Sequence, residues 1–453
     1  MTGSTRSRAG PRRTRGTARA EERAAAAAAP SPPRRRWLPP LALTLIAVIA
    51  GHLYFWPSRP IDIDAYLLPW LDHIRAHGRI GAFAIPFSNY NPPYLYLLSF
   101  ASSFSGLVGD VTLIKALSVA GTLALSLSVY RLLAACGAAP TLRLVALLPL
   151  HPTLMTNAAM LAQCDAMWTA CCLTALTCAI RRKPAAMLIW AGIAFAFKAQ
   201  AMFFAPFALA WLLAEKVPVR LWPLPLVSYA AMLLPALLAG WPPADLATIY
   251  LRQADHPSPL SWNAPNIWAL VQELPGTGGP AFVRLAFAAA LLAGLLYVLA
   301  VARRRLDAPT LVLAALVSAL IMPGLLPRMH ERFFFLADAL AFAFAACRPG
   351  WGSRLILVAV QAGSAMALEA YLSGNEAWLH AGALASMAGT AGAVAMLALG
   401  LRAAARPPAR DCGAPARRRG RRRGTEPPPD QCHGCPGDRC PGDSYVSVTG
   451  TVT

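Results

Sequence analysis

Residues 185–214 read AAMLIWAGIAFAFKAQAMFFAPFALAWLLA, held between Arg181, Arg182 and Lys183 on one side and Lys216 and Arg220 on the other. A helix that crosses a bilayer needs about 20 mostly apolar residues, and Lys and Arg gather at its cytoplasmic end. Basic residues at both ends of one apolar run therefore require the chain to enter and return. Its polar midpoint, Lys198-Ala199-Gln200, then lies near the extracytoplasmic face. The same rule orders the rest of the chain. Spans are expected near 37–57, 112–134, 141–160, 165–180, 185–199, 200–214, 221–240, 281–302, 308–327, 333–347, 352–372 and 379–401. They leave Arg131 and Arg143, Arg303 to Arg305, and Arg348 and Arg354 in the same set of alternate, cytoplasmic loops. The run Pro92 to Leu107 is nearly as apolar, but counting it as a span would move every later basic cluster outside, so it is placed along the outer membrane surface.

The fold class expected is thus an all-α polytopic membrane protein of about twelve transmembrane helices with both termini cytoplasmic. Composition agrees: 57% hydrophobic and 14% charged residues are too apolar and too charge-poor for a water-soluble enzyme of 453 residues. The net charge of +20 does not indicate nucleic-acid binding, because much of it lies in Thr2 to Arg36 and Arg402 to Arg423. Residues 1–36 and 402–453 read as disordered cytoplasmic tails around a membrane domain, 37–401. Their arginines serve as an orientation signal or meet anionic head groups of membrane lipids. Within the domain, 58–111 is a long first extracytoplasmic loop and 241–280 a second long outer loop, rich in Trp, Asn and Pro. The apolar run after Arg34 to Arg36 lacks a small-residue cleavage pattern and reads as the first helix, not a signal peptide.

Six of the ten cysteines lie in or beside apolar spans, where Cys behaves as a small hydrophobe. The others, Cys412, Cys432, Cys435 and Cys440, accompany His433 in the tail. They could hold zinc, though with irregular spacing and no core around them.

This topology collects a polar set at outer helix ends: Asp62 and Asp64, His73, Asn89 and Asn91 with Tyr90 between them, and Gln163 and Asp165. Lys198 and Gln200, Asn263 and Asn266, and Arg328, His330, Glu331 and Arg332 join it from later in the chain. Ionisable groups at membrane depth cost about 2.5–3.5 kcal/mol on insertion scales, so a one-sided cluster of them implies function. Asp62 and Asp64 can supply a general base, hold a divalent cation such as magnesium or manganese, or cap a surface helix. Arg328 and Arg332, at an end where arginine is disfavoured, suit a lipid phosphate or a belt of ordinary head groups. Gln163-Cys164-Asp165 is either an N-cap or a polar pocket wall. Lys198 can offset a phosphate, neutralise Asp165 or simply snorkel.

Six short motifs carry a family resemblance. They are Asp62-Ile63-Asp64, the segment Pro86 to Tyr96 (PFSNYNPPYLY), Gln163-Cys164-Asp165-Ala166, Phe197-Lys198-Ala199-Gln200, Asn263-Ala264-Pro265-Asn266 and Met329-His330-Glu331-Arg332. In this order the chain from about 37 to 375 resembles the GT-C glycosyltransferases, in particular bacterial relatives of the mannosyltransferase that adds the second mannose in GPI-anchor assembly. The resemblance implies transfer of a hexose, mannose first among them, from a polyprenyl-phosphate sugar to an acceptor hydroxyl, with inversion, on the outer face of a bacterial cytoplasmic membrane. It makes Asp62 the base, with Asp64 second. Arg328, Arg332, Lys198 and His330 are then the donor-phosphate set, and Asn89, Tyr90, Gln163, Asp165, Gln200, Asn263, Asn266 and Glu331 line the substrate pocket. Glycan, lipid and protein acceptors all remain open. His330-Glu331-Arg332 is similar to a His-Glu-Lys signature of related lipid-linked glucosyltransferases, with Arg in place of Lys. A secondary transporter or lipid flippase is the rival reading, since an even number of helices with both ends inside suits that architecture too.

Overall fold

The computed structural model describes residues 38–254 and 259–405. Both tails expected to be disordered, with the Cys412 to Cys440 region, lie outside the described residues apart from the first few positions after 401.

The described chain is helical almost throughout. In order it forms α1 (Leu38–Phe55), a short π-helical turn (Ile63–Leu67), α2 (Leu68–His77), α3 (Pro92–Ala101), α4 (Asp110–Ala135), α5 (Leu142–Ala146), α6 (Pro152–Ala159), α7 (Asp165–Ile180) and α8 (Pro184–Phe197). There follow α9 (Ala205–Ala214), α10 (Leu224–Ala239), α11 (Pro243–Ala254), α12 (Ile267–Val271), α13 (Pro280–Val301), α14 (Ala308–Leu325), α15 (Phe335–Cys347), α16 (Trp351–Ser373) and α17 (Glu376–Ala403). Among the described residues six helices are long and apolar enough to cross a membrane: α4, α10 with its leading turn, α13, α14, α16 and α17. Apolar side chains that water would reject face outward on them, among them Leu285, Leu291, Leu292, Leu295 and Leu296 of α13, as expected where lipid is the solvent.

The remaining apolar helices are shorter than the expected spans. The stretch 141–160 is not one helix. Pro149 and Pro152 lack the amide hydrogen a continuous helix needs, so it breaks into α5, a 3-10 turn (Leu148–Leu150) and α6. At 1.5 Å per residue, the 14 residues of α8 reach about 21 Å, less than the ~30 Å of a hydrocarbon core. The turn expected inside 185–214 is present: Lys198 is extended (φ −158°, ψ 139°) and ends α8 before a 3-10 stretch, Ala199–Phe204, leads into α9. Pro92 to Leu107 contributes only the ten residues of α3, too few to span.

The core is built on α14 and α15, whose residues are buried nearly all round, packed by α7, α9 and α16. Small residues bring α16 and α17 together. A Cβ added at Gly363 would fall 2.8 Å from the Ser386 Cβ and 3.0 Å from the Gly382 carbonyl oxygen, an approach only glycine permits. Among the described residues a two-stranded pairing interrupts the all-α plan: Ser261–Trp262 runs parallel to Met329–His330 and ties the second long loop to the connection between α14 and α15.

Candidate functional site

Asp62 stands at the N-cap position of the Ile63–Leu67 turn but makes no capping hydrogen bond. Its carboxylate points instead across the fold. Gln163 Nε2 donates to its Oδ2 at 3.0 Å, and Arg332 Nη1 donates to the same oxygen at 2.9 Å. Three segments separated by as many as 270 positions in sequence therefore meet on one carboxylate, which with the arginine is partly buried. Gln163 Oε1 in turn accepts from the Tyr90 hydroxyl at 2.9 Å, and the Tyr90 ring lies 5.3 Å beneath Lys198 Nζ.

Lys198 donates to Asp165 Oδ1 at 2.8 Å, and both side chains are buried. Trp168 Nε1 and Asn157 Nδ2, each at 2.9 Å, complete the coordination of Asp165. Asp165 is the acid of the first turn of α7, behind an N-cap, Cys164, that makes no side-chain cap bond. Of the roles open to Lys198, its ammonium makes the contact with Asp165, over the face of the Tyr90 ring.

Arg332 lies beside four negative or potentially negative groups. Burial works against its charge, but Glu331 first, then Tyr90, Asp62 and Asp165, outweigh it and hold the guanidinium above its ordinary pKa. Burial also raises the Tyr90 phenol, with Lys198 opposing, so the hydroxyl stays a donor to Gln163.

Several expected members stand apart. Asp64 is about half exposed and pairs with Arg59 at 2.6 Å, so the two carboxylates of Asp62-Ile63-Asp64 take different arginines and do not converge on one ligand position. Asn89 is exposed, and its backbone oxygen accepts from the Gln253 side chain. Asn266 is structural: it caps α12 through Trp268 and Ala269 and donates to the Pro323 carbonyl at 3.1 Å. Arg328 and Asn263 both hold left-handed backbone (φ 65° and 56°) next to the Ser261–Trp262 pairing, where the Arg328 amide donates to the Leu260 carbonyl at 2.7 Å. His330 stacks on the exposed Trp262 ring with centroids 5.7 Å apart. Glu331 is buried, 3.9 Å from Arg332 and 3.8 Å from His330. Gln200 keeps a buried Oε1 without a partner.

Non-glycine residues with positive φ cost of order 1–3 kcal/mol each and gather where surroundings over-determine them. Three of the five in the described chain, Ala162, Asn263 and Arg328, lie in or directly beside the polar motifs.

Behind Arg332 a cavity opens between α6, α15 and α16, and Asp62 is not among its lining residues. Thr153, Asn157, Asp338 and Ser364, none of them anticipated as site residues, line it. The signal for Asp338 was a single acid inside the apolar run Phe333 to Cys347, a costly placement that by itself marks function.

Fold and composition define an all-α, membrane-embedded protein. Compared with known proteins, the chain matches no family model and no curated protein.

Proposed function

We propose that the chain is a membrane-integral glycosyltransferase of GT-C type, moving a hexose, mannose by resemblance, from a polyprenyl phosphate to an acceptor hydroxyl on the extracytoplasmic face. The observation that supports this most is the Asp62 carboxylate of the first loop, held by Gln163 and Arg332 and partly open to solvent. Asp62 accepts the acceptor's hydroxyl proton as the oxygen forms its bond to the anomeric carbon. The bond from that carbon to the phosphate oxygen breaks on the opposite face, and the polyprenyl phosphate leaves. Arg332 supplies the positive charge that developing phosphate negativity requires, assisted by Arg328 and His330 from the same connection. Tyr90, Gln163, Asp165 and Lys198 form the wall that keeps Asp62 in place.

Membrane depth explains the placement, since a lipid-borne sugar keeps its tail in the bilayer during reaction. A magnesium or manganese ion at this site would be held by Asp62 without Asp64, which Arg59 occupies. Twelve crossings, the six long helices with α1, the α5–α6 pair, α7, α8, α9 and α15, and both termini cytoplasmic belong to the same reading.

The test is incubation of the purified protein with polyprenyl-phosphate mannose or glucose and a membrane extract, followed by identification of what becomes labelled. Label in a glycan, lipid or protein that disappears in Asp62→Asn supports the reading. No sugar transfer from either donor refutes it. The transporter or flippase reading draws on the broken α5–α6 pair and the buried Asp338. It predicts donor-independent uptake or lipid translocation in vesicles.

A further inference from the structure

Asp338 is 1% exposed on α15, deep in the protein. Its Oδ2 accepts from Thr153 Oγ1 at 2.7 Å and its Oδ1 from Ser364 Oγ at 2.9 Å. Both donors are neutral, and among the described residues no cation pairs with this carboxylate. The one cation in the same cavity wall, Arg332, is already shared by Asp62 at 2.9 Å and Glu331 at 3.9 Å. An unpaired buried charge costs several kcal/mol, so such groups meet a partner or give up their charge.

Asn157 supplies the independent observation. It is 2% exposed, its Nδ2 is committed to Asp165, and its Oδ1 is buried in the cavity wall with no donor. Two buried polar atoms of the lining lack a partner, the Asn157 amide oxygen and the Arg332 Nε, and lone pairs also remain on the Asp338 carboxylate and on the hydroxyl oxygens of Thr153 and Ser364, which still accept while donating to Asp338. Hard oxygen donors select a hard cation. Within the wall Glu331 and Arg332 cancel, which leaves the single negative charge of Asp338 and so calls for a monovalent ion. The space open to the centre of a water-sized particle is about 20 Å³, and such a particle needs about 10–15 Å³.

We propose that this cavity is a sodium-binding site, anchored by Asp338 and the Asn157 Oδ1 and completed by Thr153 and Ser364. The cavity shares Arg332 with the proposed transfer site, but the ion takes no part in the transfer itself and would bind equally in a transporter. Through Asn157 it touches Asp165, and through Glu331 it touches Arg332, so an ion here would stiffen the wall behind Asp62.

The test is equilibrium binding of radioactive sodium to the purified full chain at alkaline pH, with choline as the inert salt, alongside thermal unfolding in both salts. Saturable binding of one ion per chain is expected, displaced by unlabelled sodium and not by choline, with a higher Tm in sodium than in choline. Asp338→Asn keeps an acceptor for one hydroxyl, while its amide NH2 can donate to the other, and it should weaken binding about tenfold or more; Ser364→Ala should weaken it less. Absence of saturable sodium binding to the unaltered protein overturns the proposal and leaves Asp338 as a proton-holding acid. Stabilisation by calcium and not by sodium overturns it as well, as does an unchanged affinity in a folded Asp338→Asn protein.

Discussion

Removing the Lys198 ammonium is the perturbation whose consequence can be worked furthest. Lys198 and Asp165 are 8% and 1% exposed as side chains, and their 2.8 Å contact has a gross attraction of about 6 kcal/mol at an effective dielectric near 20. Most of that is offset by the cost of taking both charges out of water, so the net value of the pair is small. Lys198→Met nevertheless leaves Asp165 charged, buried and supported only by Trp168 and Asn157. The loss expected is about 3–5 kcal/mol, the range for stranding one partner of a buried pair. Asp165→Asn, which strands Lys198 instead, should cost a similar amount. In the double variant Lys198→Met with Asp165→Asn neither charge remains, and at least half of the summed loss should return as a coupling energy. Thermal unfolding in detergent, followed with a thiol-reactive dye, suits this protein because Cys164, Cys171 and Cys172 are buried and react only when the bundle opens. Each single variant should lower Tm by roughly 3–7 °C. Strictly additive losses, or single variants that melt like the unaltered protein, would refute the assignment of Lys198 to the wall and return it to the donor-phosphate set.

Asp62→Asn should abolish sugar transfer while melting close to the unaltered protein, because the amide can still accept from Gln163; full activity would move the base to Asp64 or end the mechanism. Arg332→Gln removes the charge proposed to meet the donor phosphate, and a charge-assisted bond is worth about 1.5–3 kcal/mol, so donor affinity should fall roughly 10- to 100-fold in a titration with polyprenyl-phosphate sugar; an unchanged affinity counts against it. Asp64→Asn, by contrast, breaks only the exposed pair with Arg59 and should shift stability by no more than about 0.5 kcal/mol in the same melting assay, with transfer retained. Gly363→Leu should force α16 and α17 apart and cost about 1–3 kcal/mol or more; a variant as stable as the parent would mean the two helices do not need their close approach.

The all-helical, apolar character was legible in the sequence, because it follows from local quantities. Apolar runs near the bilayer length announced the helices, the basic residues around 185–214 announced the turn at Lys198, and the same count kept Pro92 to Leu107 from being read as a span. The break inside 141–160 was written in Pro149 and Pro152, but an apolar average over the window hides it. Of the polar helix ends gathered from the sequence, Asp62, Tyr90, Gln163 and Arg332 are joined by hydrogen bonds, as are Asp165 and Lys198.

Which member of that set meets which was decided only by the tertiary structure. Asp62 and Asp64 are chemically identical and two residues apart, yet one faces Arg332 and the other Arg59, a difference set by the direction each side chain takes from the Ile63–Leu67 turn. Asn266 reads as a binding residue and serves as a cap, while Asp338 reads as an isolated polar intrusion and lines a cavity. Hydropathy and charge order are properties of neighbouring residues and survive in one dimension. A contact such as Arg332 with Asp62 spans 270 positions, and its existence depends on how every helix between them packs.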